Sequence, residues 1–222
     1  MIQHLSRISR IMQKPQGHGL LVSLGGNGRT TLTKLAAHLN ECVLSRVDFG
    51  RNYGRAEWLD DMKSLFKQAG IEDRRQVLAV TTAEAAACPG ALEDVCSIAN
   101  AGEVPNLFTP DDLEEIRAEV GKQARPGAGV DLVALFALRC RKHVHVLVSI
   151  SPAGDELREH LRRFPALAHC TTIDWFLPWP EEALRAVALA QLRHRAAAYA
   201  QLLTPAGEGH AEALTAEELS RD

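Results

Sequence analysis

The sequence lacks several features that mark specialised classes of protein. Its five cysteines include no C-x-x-C pair, which fits reduced thiols in a cytosolic protein better than a disulfide or zinc framework. No apolar run approaches the roughly 20 residues that span a bilayer, and the amino terminus has no signal-peptide core. The net charge of -3 gives no global attraction to nucleic acid or anionic lipid. We therefore expect a cytoplasmic protein without nucleic-acid or membrane partners, in which any anion binding is local.

The chain does contain enough apolar residues, 46% of 222, to bury a sizeable core. Apolar runs of strand length alternate with helical patterns, which predicts an α/β fold with a parallel sheet and helices on both faces. Five strands, each apolar enough to be buried on both sides, are predicted at residues 18–24, 42–47, 76–82, 143–150 and 170–176. Helices are predicted at residues 4–12, 28–40, 57–69, 91–100, 110–124, 131–141 and 155–164.

Two prolines in the segment FLPWPEE predict a boundary near residue 178. Pro180 suits the first turn of a new helix, where Glu181 and Glu182 lie near the positive end of the helix dipole. We therefore predict a first domain over residues 1–178. The second segment, 179–222, holds this helix and a small, polar, acidic tail that suits a frayed linker as well as a helix.

The stretch LLVSLGGNGRTTLTKL, residues 20–35, joins a predicted strand to a predicted helix through three glycines. A phosphate-binding P-loop has this context and the pattern G-x-x-x-x-G-K-[ST], of which Gly28 and Thr30 match two of the four fixed positions. Ser23 replaces the first glycine, and Arg29 replaces the lysine with a planar fork that is not equivalent to a compact ammonium. The context favours a phosphate site, and a glycine-rich turn without a ligand is the alternative.

Hydrolysis of ATP would need a second motif, an apolar strand that ends in carboxylates to order Mg²⁺ and polarise water. The strand candidate is VLAV, and the positions expected for Asp-Glu hold Thr82 and Ala83, neither of which has a carboxylate. Glu84 is the nearest carboxylate, but a turn would have to redirect it by several ångströms. It is a weak candidate for the catalytic base, and the alternative is a solvated loop residue.

Four long stretches resemble the fourth AAA+ module of dynein heavy chains, the axonemal type especially. They are HLSRISRIMQKPQGHGLLVSLGGNGRTTLTKLAAH, FGRNYGRAEWLDDMKSLFKQAGIE, ANAGEVPNLFTPDD and SISPAGDELREHLRRFPALAHCTTIDWFLPWPEEAL. Within them, GEVPNLF and TIDWFLPWPEEAL are specific to the family. The resemblance implies a P-loop AAA+ large subdomain with a mostly parallel five-stranded sheet, followed by an incomplete α-helical lid.

The resemblance also implies a function. It predicts a regulatory module that binds ATP or ADP, with Mg²⁺ as a candidate cofactor, hydrolyses the nucleotide little or not at all, and contributes to microtubule-based movement. Its expected partners are neighbouring modules of a dynein ring, with microtubules reached only through a stalk absent from this sequence, and its expected location is the cytoskeleton of a cilium or axoneme. The alternative is a nucleotide-free structural module of the ring. The resemblance ends inside the lid, so we expect a fragment, a truncated gene product or a repurposed module.

Site residues follow from the resemblance by position. The family's loop matches seven consecutive residues as candidate nucleotide ligands, with the hydroxyl of the sixth at the Mg²⁺ position: Gly25, Gly26, Asn27, Gly28, Arg29, Thr30 and Thr31. The family's second motif ends in an Asp where this chain has Thr82.

Other residues match positions outside the loop. Ser151 matches a polar sensor of the γ-phosphate, or alternatively caps a helix or stabilises a turn. Arg162 and Arg163 match arginines that reach a neighbouring subunit's nucleotide, or are solvated helix-end residues. Pro15, Gly17 and His18 match a region that contacts adenine in the family. We expect His143 and His145 to be partly buried strand residues rather than metal ligands, because the sequence offers no third ligand.

Overall fold

The structure is a computed structural model that describes residues 1–47, 49–50, 53–123 and 131–203. A single parallel sheet lies at its centre, with the strand order β2-β3-β4-β1-β5. The strands are β1 (Gly19–Val22), β2 (Val43–Arg46), β3 (Gln76–Thr81), β4 (Val144–Ile150) and β5 (Thr172–Trp175). Because all pairs are parallel, the carboxyl ends of the strands meet at one edge of the sheet.

Helices cover both faces of this sheet, as the alternating pattern predicts. They are α1 (Ile2–Gln13), α2 (Arg29–Leu39), α3 (Arg55–Gly70), α4 (Thr82–Ala86), α5 (Ala91–Ala101), α6 (Pro110–Gln123), α7 (Leu132–His143), α8 (Glu156–Arg163), α9 (Ala166–His169) and α10 (Glu181–Leu203). Helices α1 and α2 bury one face against Leu21, Val77 and Leu147. The larger core lies on the other face, where α3, α5, α6 and α7 pack against Leu20, Leu78 and the remaining apolar strand residues.

The predicted strands and longer helices are confirmed within a few residues. Helices α4 and α9 were missed because five and four residues are too few to show a helical period. The prediction that all strands are buried on both sides is wrong for β2 and β5. Both are edge strands, and Val43, Ile173 and Trp175 are 40%, 47% and 50% exposed.

The loop that contains GEVPNLF connects α5 to α6 and is fixed at both ends. Gly102 ends α5 with a φ of +74°, a left-handed conformation that favours glycine. At the other end the side chains of Thr109 and Asp112 cap α6 reciprocally, and Lys63 holds Asp112 at 2.8 Å. Between these ends, Val104 and Leu107 are buried in the larger core.

The chain divides into two compact units, Met1–Pro178 and Trp179–Asp222. Within the second unit the described residues form α10, which begins after Pro180 with Glu181 and Glu182 in its first turn. The predicted tail falls in residues 204–222, outside the described residues. Among the helices that the structure describes, none is both long and apolar enough to cross a membrane.

Candidate phosphate-binding site

The glycine-rich loop leaves the carboxyl end of β1 and enters α2 at the edge where the strands end. Ser23, buried below the loop, donates its backbone N–H to the carbonyl of Ile150 at 3.1 Å, so the pairing of β1 with β4 continues to the start of the loop. Gly26 and Gly28 have φ values of +83° and +79°, a region that other L-residues rarely adopt. A Cβ placed on Gly25 or Gly26 would meet no atom within 4 Å, so the space above the loop is open.

The amino terminus of α2 follows directly on the glycine-rich loop. Gly28 is its N-cap and accepts from Leu32 N–H at 2.9 Å, while no side chain caps the helix. The first N–H groups of a helix have no partner inside the helix, and the helix dipole places positive charge there. Asn27 and Gly28 are half-buried, and Thr30 and Thr31 are exposed at this end. This arrangement suits a bound anion.

Arg29 points below the loop toward the sheet. Its Nη1 donates to the carbonyl of Ile150 at 2.8 Å and to that of Leu21 at 3.3 Å. These carbonyls lie at the carboxyl ends of β4 and β1. Burial lowers the pKa of the guanidinium, which still stays charged near neutral pH. Both bonds come from one nitrogen, so they do not use Nη2 or Nε.

Thr30 borders a small cavity at the same edge of the sheet. The cavity has a volume of about 20 Å³, enough for one water molecule. Five other polar residues line it: Thr33, Arg46, Thr81, Glu84 and Ser149. Thr81 pairs with Ser149 in the β3–β4 register.

The residue of the second motif that shares the cavity with Thr30 is Thr81, not Thr82. Strand β3 ends at Thr81, and alternation along the strand turns the side chain of Thr82 to the opposite face. Thr82 is only 2% exposed there, and its hydroxyl lies 3.4 Å from Glu156 Oε1. The prediction that the carboxylate positions are Thr82 and Ala83 is therefore corrected by one residue. Neither Thr81 nor Thr82 is acidic.

For Glu84 the sequence left two roles open, a catalytic base and a solvated loop residue. The second is wrong. Glu84 is half-buried in α4, where its Oε2 accepts the N–H of Thr81 at 3.0 Å and its own N–H donates to Thr81 Oγ1 at 3.1 Å. These two bonds form a capping box at the start of α4. The turn that they fix directs Glu84 toward the cavity that Thr30 also borders. A role as a base stays a prediction.

The remaining candidates from the resemblance lie farther along the chain. Ser151 Oγ accepts the N–H of Ala153 at 3.3 Å, so the hydroxyl stabilises the turn, and Asp155 is the N-cap of α8. A contact between Ser151 and phosphate stays a prediction. Arg162 is exposed, whereas Arg163 donates to Glu93 at 3.3 Å and lies 5.0 Å from the ring centre of Phe164.

The residues suggested as a surface for adenine lie away from the glycine-rich loop, and that role stays a prediction. Gly17 and His18 precede β1 at the opposite edge of the sheet, on the order of 15 Å from the loop at the usual strand rise. His18 is 3% exposed and accepts the N–H of Val146 at 3.1 Å, so it belongs to the core. Pro15, just before them, is exposed at the same edge.

His143 and His145 are buried, as expected, but only His145 lies on a strand. His143 is the last residue of α7, with its Nε2 3.1 Å from Asp73, and His145 Nδ1 lies 2.9 Å from the carbonyl of Gly17. Across the described ranges, no group of three or more His, Cys, Asp or Glu side chains could hold a metal ion.

Sequence reasoning missed Arg46, Thr81 and Ser149 as parts of the site. Their signal is the strand register, since each lies at or near the carboxyl end of its strand on the face that α2 covers. That signal becomes readable only once the strand order is known.

The fold and the glycine-rich loop together define a P-loop domain of the AAA+ type. A solved structure of Cdc6p from Pyrobaculum aerophilum has the same fold, with a TM-score of 0.51, 10% identity, and coverage of 85% of this chain and 48% of that one. Residues 1–207 match the family described as "P-loop containing dynein motor region D4", and the chain belongs to this family.

Curated relatives agree with this membership. Dynein axonemal heavy chain 2 from Homo sapiens is 38% identical over 191 residues, which cover 84% of this chain and 4% of that protein. Dynein-1-beta heavy chain of the flagellar inner arm I1 complex from Chlamydomonas reinhardtii is 40% identical over 195 residues, which cover 86% of this chain and 4% of that protein. The chain thus spans about one twenty-fifth of the length of these relatives.

Proposed function

We propose that residues 25–31 hold the phosphates of ATP or ADP and that the chain acts as a nucleotide-binding, regulatory AAA+ module of a dynein heavy chain. The observation that carries this proposal is the open amino terminus of α2, which begins after two left-handed glycines and has no side-chain cap. A bound phosphate would accept hydrogen bonds from the N–H groups at this helix end and would gain from the helix dipole. Arg29 adds positive charge below the loop.

Little or no hydrolysis is expected from this site. Thr81 and Thr82 offer neutral hydroxyls where an ATPase would need carboxylates to order Mg²⁺ and polarise water. Glu84 reaches the cavity beside Thr30, but its carboxylate already accepts the Thr81 N–H. Nucleotide would therefore stay bound as a regulatory ligand.

The wider role in the proposal is that of a ring module in microtubule-based movement. It is supported by the axonemal and flagellar names of the relatives, of which this chain matches only a small part. Its proposed partners are neighbouring modules of the ring in the cytoskeleton of a cilium, and Arg162 and Arg163 are the residues proposed to reach a neighbour's nucleotide.

A second candidate function is a nucleotide-free spacer in the ring. The hydrogen bonds from Arg29 to the carbonyls of Ile150 and Leu21 favour it, because they give Nη1 of the guanidinium acceptors without any phosphate. Under this alternative the loop is a structural turn.

Titration with a fluorescent ATP analogue separates the two candidates. The nucleotide-binding module should show saturable binding, and Gly28→Glu should abolish it by placing a carboxylate at the phosphate position. Ala118→Glu is the matched control, since it adds the same charge on an exposed position of α6. The proposal is abandoned if no saturable binding occurs, or if Gly28→Glu binds as the unchanged chain does.

Thermal unfolding provides an independent check. A ligand that binds only the folded state raises stability by about 2.7 kcal/mol at one hundred times its Kd. ATP and ADP should therefore raise the melting temperature of the chain and of Ala118→Glu, but not that of Gly28→Glu. A spacer would melt at the same temperature with and without nucleotide.

A further inference from the structure

The cavity beneath Thr30 has an unusual composition for the metal position of a P-loop. Arg46 ends β2 and contributes a cation to the same cavity as Thr30, Thr81, Glu84 and Ser149. The pairing of Arg46 with Ala79 places its side chain on the face of the sheet that α2 covers. A positively charged side chain therefore borders the same cavity as the hydroxyl of Thr30, which would otherwise meet Mg²⁺.

The side chains around this cavity do not complete a magnesium site. Mg²⁺ requires near-octahedral oxygen ligands and is usually held by one or two carboxylates together with phosphates. The strand residue that shares the cavity with Thr30 is Thr81, which is neutral, and the carboxylate of Glu84 is oriented by the N–H of Thr81 at 3.0 Å. A guanidinium in the same cavity would also repel a divalent cation.

Arg46 is well suited to a phosphate instead. Its side chain is exposed, and within the described residues no hydrogen bond or ion pair holds it. A guanidinium is a planar fork that binds phosphate oxygens through two parallel N–H groups. Arg46 and Glu84 also border an open recess with Val47 and Phe49, which gives the long side chain room to move.

We propose that Arg46 supplies the positive charge that Mg²⁺ supplies in ordinary P-loops, so that this site binds nucleotide phosphates without a divalent cation. The inference rests on the proposed function, because it assumes that the loop above Thr30 holds nucleotide. It adds two points to that function: Arg46 is a ligand of the phosphates, and binding does not require a divalent cation.

The test is a titration of the full chain with a fluorescent ATP analogue, once with Mg²⁺ in excess over nucleotide and once with EDTA in excess. For the unchanged chain, the two Kd values should agree within about threefold. Arg46→Gln should weaken binding in EDTA by about tenfold or more, the usual cost of losing a charged hydrogen bond. Arg74→Gln is the matched control, because Arg74 is an exposed arginine at the opposite edge of the sheet.

Each other outcome has a distinct meaning. Absence of binding in both buffers contradicts the proposed function and this inference with it. Binding in Mg²⁺ that is lost in EDTA keeps the proposed function and overturns the inference. An equal loss in Arg46→Gln and Arg74→Gln also overturns it, since the effect would then come from net charge. Thermal melts of both variants establish that each is folded.

Discussion

Thr81 and Glu84 form two reciprocal hydrogen bonds, from Thr81 N–H to Glu84 Oε2 at 3.0 Å and from Glu84 N–H to Thr81 Oγ1 at 3.1 Å. Thr81→Val keeps the side-chain shape but removes the oxygen that caps α4, so we expect a loss of about 1 kcal/mol in the free energy of unfolding. Glu84→Gln retains an oxygen acceptor and should cost less. Urea denaturation at neutral pH measures both, and a larger loss in Glu84→Gln than in Thr81→Val would contradict the capping role.

The same Glu84→Gln variant tests catalysis. Because Glu84 is held as a cap and the strand end lacks carboxylates, we expect phosphate release by the unchanged chain to equal that of Gly28→Glu, and Glu84→Gln to change nothing. Release of phosphate from ATP is measured for all three proteins. Release above the Gly28→Glu background that disappears in Glu84→Gln would instead identify Glu84 as the base.

Asp174 joins β5 to α1 through a buried carboxylate. It is fully buried and accepts from Arg7 Nη1 at 2.8 Å, with His4 Nδ1 at 2.9 Å. Asp174→Asn removes the charge but keeps the shape, and we expect a loss of about 1–3 kcal/mol in the free energy of unfolding. The control is Asp155→Asn, because Asp155 pairs with Arg158 in an exposed ion pair, and its cost should stay below about 1 kcal/mol. Equal losses in the two variants would show that the buried bonds contribute little.

Stability should fall in mild acid because of His18. Burial, with a smaller effect from His145, lowers the pKa of His18 from 6.5 to about 4. Between these two pH values the unfolded chain binds a proton that the folded chain does not. The contribution of His18 to stability is therefore fully present above pH 6.5 and is lost as the pH falls toward 4. The full loss from this group is about 3 kcal/mol. Burial lowers the pKa values of His143 and His145 as well, which acts in the same direction.

Urea denaturation at pH 7.5 and at pH 5 measures this effect. His18→Gln should make the free energy of unfolding depend less on pH, whatever its stability at neutral pH. His38→Gln changes an exposed histidine of α2 and should leave the pH dependence as it is. An unchanged pH dependence in His18→Gln would contradict the assignment to His18.

Two glycines on either side of β1 should respond differently to alanine. A Cβ on Gly17 would lie 1.9 Å from the carbonyl oxygen of Ile11, a backbone atom that cannot easily move, whereas one on Gly25 would meet no atom within 4 Å. We expect Gly17→Ala to lose about 2 kcal/mol or more in the free energy of unfolding, and Gly25→Ala to lose well under 1 kcal/mol. Denaturation of both variants checks this, and equal stabilities would contradict the close approach at Gly17.

Much of the fold follows from the sequence because its signals are local. The apolar runs that became β1, β3 and β4 are buried on both faces of a parallel sheet, and the periodic stretch of α3 is long enough to read. The edge positions of β2 and β5 were not predicted, because strand order is decided by contacts between distant segments.

The sequence by itself determined the glycine-rich loop, the helix after it and the absence of carboxylates at the end of β3, because each is a property of consecutive residues. Only the tertiary structure decided which threonine faces Thr30, where Glu84 turns, and that Arg46 shares their cavity. The physical reason is the register of parallel strands, which brings residues far apart in sequence to one edge of the sheet and fixes which face each side chain occupies.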